Sequence, residues 1–220
     1  MKNHLILNAF LFLIVTSSFG QNKTPEDFIP EGYVIFEKTF GDLNKDDQED
    51  CILMIKATDS ANVVLDEYRG ELDRNRRGII LLFKNKDTYT VAVKNYDCFS
   101  SENEDGGVYY APELSVYPLN NKLYVEYSHG RYGYWKYTFR YQNSDFELIG
   151  YDASSNYGPV INTETSINFS TKKKLTRKNT NEDAESGEEV FEETWSTVAI
   201  NKLLKLSEIQ DFDSLTMSDY

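Results

Sequence analysis

Residues 134–141 alternate in character. Trp135, Tyr137, Phe139 and Tyr141 fall on one side of an extended chain, and Tyr134, Lys136, Thr138 and Arg140 on the other. Side chains of a β-strand point to opposite faces in turn, so this run is a strand with one buried and one wetter face. Before it, across residues 129–133, Leu123, Val125 and Tyr127 alternate with Lys122, Tyr124 and Glu126. The two runs together predict a hairpin. Comparable short runs rich in Val, Ile, Tyr, Phe and Thr recur along the chain, and apolar residues at helical spacing are nearly absent.

The pattern predicts an all-β fold, an antiparallel meander or sandwich of roughly ten strands. The candidate strands are 33–39, 51–57, 78–83, 89–95, 113–117, 122–128, 134–141, 146–151, 164–169 and 190–200. Asn85-Lys86-Asp87, Asn120-Asn121 and Asn143-Ser144-Asp145 supply the Asn/Asp chemistry that tolerates a left-handed backbone and closes hairpins. Ser207-Glu208-Ile209-Gln210 reads as a weak capping box, predicting a short C-terminal helix with Leu206, Ile209 and Phe212 on the sheet. Residues 66–77 are strongly charged and fit a short helix or an ordered loop. A basic stretch at 172–178 precedes an acidic one at 182–189, which predicts opposed halves of a long hairpin.

Residues 1–20 predict a removable signal peptide: Lys2 gives a positive start, 5–15 is nearly all apolar, and Ser17-Ser18-Phe19-Gly20 offers small residues for cleavage. The apolar run is shorter than the roughly 20 residues of a membrane helix. No comparable run follows, so the expectation is a periplasmic or secreted protein, a single domain over 21–220, with no stable membrane insertion. Loss of Lys2 takes the net charge from -13 to -14. Such an excess repels nucleic acid and favours divalent cations. Cys51 and Cys98 both lie beyond the signal segment. An oxidising compartment permits a bridge between them, and two separate thiols, one buried, is the competing arrangement.

The sharpest local motif is Gly41-Asp42-Leu43-Asn44-Lys45-Asp46-Asp47-Gln48-Glu49-Asp50, running straight into the apolar segment Cys51-Ile52-Leu53-Met54-Ile55. Oxygen donors sit at alternate positions. Asp42, Asn44 and Asp46 can converge on a hard cation, the Gln48 carbonyl can join them, and Asp50 can close the shell, so the expected ligand is calcium. The segment resembles the Asp-x-Asn-x-Asp-Gly-x-x-Asp calcium loop of integrin-type FG-GAP and VCBS repeats, which joins two β-strands. It departs from that pattern where Asp47 replaces the glycine, and from the EF-hand where Leu53 replaces the closing glutamate. A looser likeness adds Arg77-Gly-Ile-Ile-Leu-Leu, His129-Gly-Arg, Tyr137-Thr-Phe-Arg-Tyr and Ser166-Ile-Asn-Phe. In that order these segments are similar to uncharacterised exported bacterial proteins with a single such loop, a resemblance that implies no activity.

Catalytic signals are sparse. Once the signal segment is removed, His129 is the one histidine, and there is no Gly-x-Ser-x-Gly elbow, phosphate loop, dinucleotide fingerprint or His-Glu-x-x-His pair. Cys98 and His129 form a formal nucleophile and base, against the plainer reading of a buried thiol and a turn histidine. Glu102, Glu104, Asp105 and Glu113, beside Tyr109 and Tyr110, raise a carboxylate-lined sugar cleft and hence a secreted glycan hydrolase. The loop Ser128-His129-Gly130-Arg131-Tyr132-Gly133-Tyr134 gathers aromatic and basic groups, with His129, Arg131 and Tyr132 as candidate ligand contacts. The leading expectation is a calcium-stabilised, non-catalytic binding protein whose partner is an envelope protein or a glycan. A hydrolase and an inhibitor or immunity protein are the alternatives.

Overall fold

A computed structural model describes residues 22–105, 110–217 and 220 of the chain. The expected signal peptide lies outside the described residues. The first half holds β1 (Tyr33–Gly41), β2 (Asp50–Ala57), β3 (Val63–Asp66), β4 (Gly70–Asp73), β5 (Arg77–Asn85) and β6 (Thr88–Phe99). The second half holds β7 (Glu113–Leu119), β8 (Lys122–Ser128), β9 (Gly133–Gln142), β10 (Asp145–Tyr157), β11 (Val160–Asn168), β12 (Lys173–Asn179) and β13 (Phe191–Thr197). All pairings are antiparallel. β1, β2, β5 and β6 form one four-stranded sheet in that order, with the β3–β4 hairpin inserted, and β7 to β13 form a seven-stranded meander.

The hairpin read from alternation forms in register: Leu123 pairs with Phe139, Val125 with Tyr137 and Tyr127 with Trp135. These inward residues meet Ile52, Met54, Ile79 and Leu81 of the four-stranded sheet in one core. Asn120 and Asn121 (φ 51° and 55°), and Asn143 and Ser144 (φ 52° and 60°), close two-residue hairpins. Both central residues left-handed is the turn whose twist matches that of the flanking strands.

β2 and β5 do not alternate; Cys51–Ile55 and Ile79–Leu82 are apolar at every position. Their sheet is covered on both sides, which a continuous apolar run permits and an alternating one does not. Ile52, Met54, Ile79 and Leu81 face the seven-stranded sheet, whereas Cys51, Leu53, Ile55, Ile80 and Leu82 face outward. That outer layer is roofed by Phe28 and Ile29 of the N-terminal segment and by Tyr33, Tyr89 and Tyr96. At Gly78 a Cβ would lie 2.0 Å from the Tyr96 carbonyl oxygen. Only glycine admits this approach, which coincides with the register shift between Arg77 and Ile79.

Elsewhere the structure refines the reading. Part of the charged 66–77 stretch becomes β4 rather than the short helix or ordered loop expected. Residues 173–179 form β12, which faces β13 with Lys178 opposite Glu192 and Arg177 opposite Glu193; the acidic 182–189 stretch is the connection between these strands and not the opposed half expected of it. The short C-terminal helix takes the form of 3₁₀ turns at Leu206–Glu208 and Phe212–Ser214, which bury Leu206, Ile209 and Phe212 as expected. The capping box does not form: Lys205 is the N-cap, without a side-chain cap bond, and Ser207 Oγ donates to Asp145 instead.

Candidate functional site

The acidic loop connects β1 to β2, and its side chains bond chiefly to its own backbone. The half-buried Asp42 is the hub. Its Oδ1 accepts from the N–H groups of Asn44, Lys45 and Asp46 at 3.1, 2.6 and 3.3 Å. Its Oδ2 accepts from Asp47 N–H at 3.3 Å and from Asn121 Nδ2 at 2.9 Å, tying the loop to the β7–β8 turn. Asn44 Oδ1 accepts from Asp46 N–H, and Asp46 Oδ1 from Gln48 N–H. Lys45 and Asp47 take left-handed φ of 70° and 60°. Asp47 thus adopts the conformation for which the resembled loop uses glycine.

Asp50 faces the other way. It is fully buried; Oδ2 accepts from Leu43 N–H at 2.8 Å and Oδ1 from Lys84 N–H at 3.0 Å. Burial pushes its carboxyl above the usual range, against those two N–H donors, and Asp46 and Asp42 push the same way. Among the described residues, no three His, Cys, Asp or Glu side chains are grouped to hold a metal ion. The remaining donor set is oxygen only: Asp42, Asn44, Asp46 and the Gln48 carbonyl. That chemistry suits a hard cation, held through two carboxylates rather than three.

The tip between β8 and β9 is a 3₁₀ turn, Gly130–Tyr132, closed by Gly133 at φ 112°. His129 Nε2 lies 2.8 Å from the Tyr110 carbonyl oxygen, and the His129 ring sits between those of Tyr110 and Tyr132 at 5.9 and 5.2 Å. Arg131 and Tyr132 line an open groove of about 650 Å³ with Tyr157, Pro159, Val160 and Glu185. His129 braces the turn, and the other two candidate contacts form one wall.

No bridge joins Cys51 and Cys98. The sheet separates them: Cys51 points to the outer layer with Leu53 and Ile55, and Cys98 into the inter-sheet core beside Phe99. The alternative of separate thiols therefore holds, with both buried rather than one. Burial pushes the Cys51 thiol up to about 12 and raises that of Cys98 as well. Cys98 lies in the core, whereas the half-buried His129 braces the tip against Tyr110. Of the acidic residues after β6, Glu102 pairs with the buried Lys56 at 2.5 Å, and Asp105 pairs with Arg74 at 2.8 Å and Arg69 at 3.4 Å. Glu104 accepts from Ser101 Oγ at 2.7 Å. Glu113 opens β7, and Tyr109 lies outside the described residues.

A second cavity, of about 360 Å³, includes Glu104 and Asp105 of the carboxylate group read from the sequence, but sequence reasoning missed its aromatic wall and Arg77. Its apolar wall is Tyr127, Trp135, Tyr137, Tyr151 and Phe212; its polar groups include Arg77, Glu104, Asp105 and Asp213. Arg77 is buried, donates from Nε to the Ser100 carbonyl at 2.8 Å, and carries its guanidinium 5.1 Å from the Phe36 ring centre. Desolvation lowers its pKa, with Glu102 the strongest opposing charge. The available signal was Arg77, the last of the cluster Arg74, Arg76 and Arg77, set directly against the apolar Gly78-Ile79-Ile80-Leu81-Leu82 run: a cation entering a two-sided core must meet something there.

Comparison of the chain with protein-family models, curated proteins and solved structures gives no match. Among the described residues no helix is long and apolar enough to cross a membrane.

Proposed function

We propose that the chain is an exported, non-catalytic binding protein of the bacterial envelope, stabilised by calcium at residues 42–50, which meets an envelope protein or glycan through the groove beside the β8–β9 tip. Export is supported by the order of positive start, apolar run and small residues in 1–20. The observation that carries the binding reading is the groove itself. Arg131 and Tyr132 line it together with Tyr157, which is 80% exposed, and Glu185 supplies the opposite charge. Rigid tyrosines with a flanking Arg and Glu form the kind of surface that contributes most to protein recognition.

Calcium's role in this reading is to replace loop-internal hydrogen bonds with ligation by Asp42, Asn44, Asp46 and the Gln48 carbonyl. This pins the β1–β2 connection. Extracellular calcium concentrations fill such a site even at dissociation constants of about 10⁻⁴–10⁻³ M. Crosslinking in intact cells tests the binding reading. A specific adduct is expected with the native protein and its loss with the double variant Arg131→Ala, Tyr132→Ala. Retention of every adduct by that variant removes the groove from the proposal.

A further inference from the structure

The inter-sheet cavity shares no lining residue with the tip groove, and it presents an unusual balance of groups. Tyr127 is 4% exposed, lines the cavity, and its hydroxyl has no hydrogen-bond partner among the described residues. That hydroxyl lies within electrostatic range of Arg77 and Asp213, which line the same space. A buried hydroxyl without a partner costs about 1–3 kcal/mol, so folded proteins seldom leave one unless something else satisfies it. The Tyr127 ring stacks on Trp135 at 5.2 Å and 12°, and Phe212 stands edge-on to Tyr137 at 5.2 Å, making the wall rigid and aromatic.

The charges decide what fits. An organic cation would find aromatic rings and carboxylates, but also the buried Arg77 guanidinium in the wall, whose like charge repels it at low dielectric. An anion would find Arg77 but also Glu104 and Asp213, two carboxylates to one cation once Asp105 is paired with Arg69 and Arg74. A wholly apolar ligand would strip water from all of these groups and return no hydrogen bond. A polyhydroxylated neutral ring has the complementary makeup. Its C–H face packs on an aromatic wall, and its hydroxyls both donate to carboxylates and accept from Arg77 or Tyr127. The volume lies at the lower end of the roughly 300–1,000 Å³ typical of small-ligand sites.

We infer that this cavity is a binding site for one neutral sugar residue, with Trp135 and its aromatic neighbours as the stacking wall, Arg77 and the Tyr127 hydroxyl as donors, and Glu104 and Asp213 as acceptors. The site is independent of the tip groove, so failure of either leaves the other standing.

Trp135 and Trp195 are the two tryptophans of the chain, so Trp195→Phe isolates the signal from the cavity wall. Titrating that full-length variant with neutral hexoses, pentoses and N-acetylhexosamines should give a saturable change in Trp135 fluorescence for at least one of them. Glucuronate and tetramethylammonium should give none. Adding Tyr127→Phe, which removes only the orphan hydroxyl, should weaken the sugar about 3- to 10-fold, the range of one neutral hydrogen bond. It should also leave the melting temperature unchanged or higher, a combination that a purely structural hydroxyl would not produce. The inference is overturned if no neutral sugar in the panel binds, if only the charged probes bind, or if Tyr127→Phe leaves sugar affinity intact.

Discussion

Replacing Asp50 with alanine is the most direct probe of how the acidic loop is attached to the fold. The carboxylate is fully buried and holds two backbone donors, Leu43 N–H at 2.8 Å and Lys84 N–H at 3.0 Å. Hydrogen bonds to a charged group contribute about 1.5–3 kcal/mol each, and truncation leaves both donors buried without partners. Against this stands the desolvation that raises the Asp50 pKa. The net expectation is a loss of about 2–4 kcal/mol, or roughly 10 °C in melting temperature at 2–4 °C per kcal/mol for a chain of this size. Asp50→Asn keeps the shape and one acceptor but sets an amide N–H against a backbone N–H, and should cost about half as much. The sign of the pH dependence follows from the raised folded-state pKa. Between the unfolded value of about 3.9 and the higher folded value, the native state binds more protons, so stability falls as pH rises. The advantage of the native protein over Asp50→Asn should therefore be largest below that window and shrink as pH rises through the folded pKa. Urea denaturation at several pH values reads both quantities. A change under about 0.5 kcal/mol for Asp50→Ala would mean that water reaches the two donors, and the latch argument would be wrong.

Other outcomes are as concrete. With about 10 mM calcium and a dissociation constant of about 10⁻³ M, the native protein should gain about 1.4 kcal/mol, a rise of about 3–6 °C that Asp42→Ala abolishes. Identical calorimetric curves in calcium and in chelator would remove the ion from the proposal. Since burial holds Cys51 up to about 12 and raises Cys98, neither thiol should react with a disulfide reagent at about pH 8 until denaturant is added. Fast labelling of the folded protein would contradict their placement. Gly78→Ala sets a Cβ 2.0 Å from the Tyr96 carbonyl oxygen and should cost at least about 1–3 kcal/mol in chemical denaturation, and a neutral result would show that the β5–β6 bulge can relax.

Most strands and turns were legible along the chain because both arise locally; β3, β4 and β12, short or strongly charged, were not among the strands read from it. Period-two alternation marks 122–128 and 134–141, and Asn120-Asn121 and Asn143-Ser144 tolerate the left-handed backbone that fixes hairpin register. The oxygen spacing of the acidic loop was legible for the same reason. Its inward latch was not, because Lys84 reaches Asp50 only through the pairing of β2 with β5. Burial of a continuous run such as Cys51–Ile55 on both faces depends on a second sheet below and an N-terminal segment above, neither of which neighbouring residues specify. The opposite facings of Cys51 and Cys98 follow from that layering. The cavity is the extreme case: Arg77 comes from β5, Tyr127 from β8, Trp135 from β9, Tyr151 from β10 and Phe212 from a C-terminal turn. What the sequence by itself determined is the class of fold, the hairpins and the donor chemistry of one loop. Which groups face one another across the sandwich was decided only by tertiary packing, since residues far apart in the chain meet there through burial shared between sheets and not through any local period.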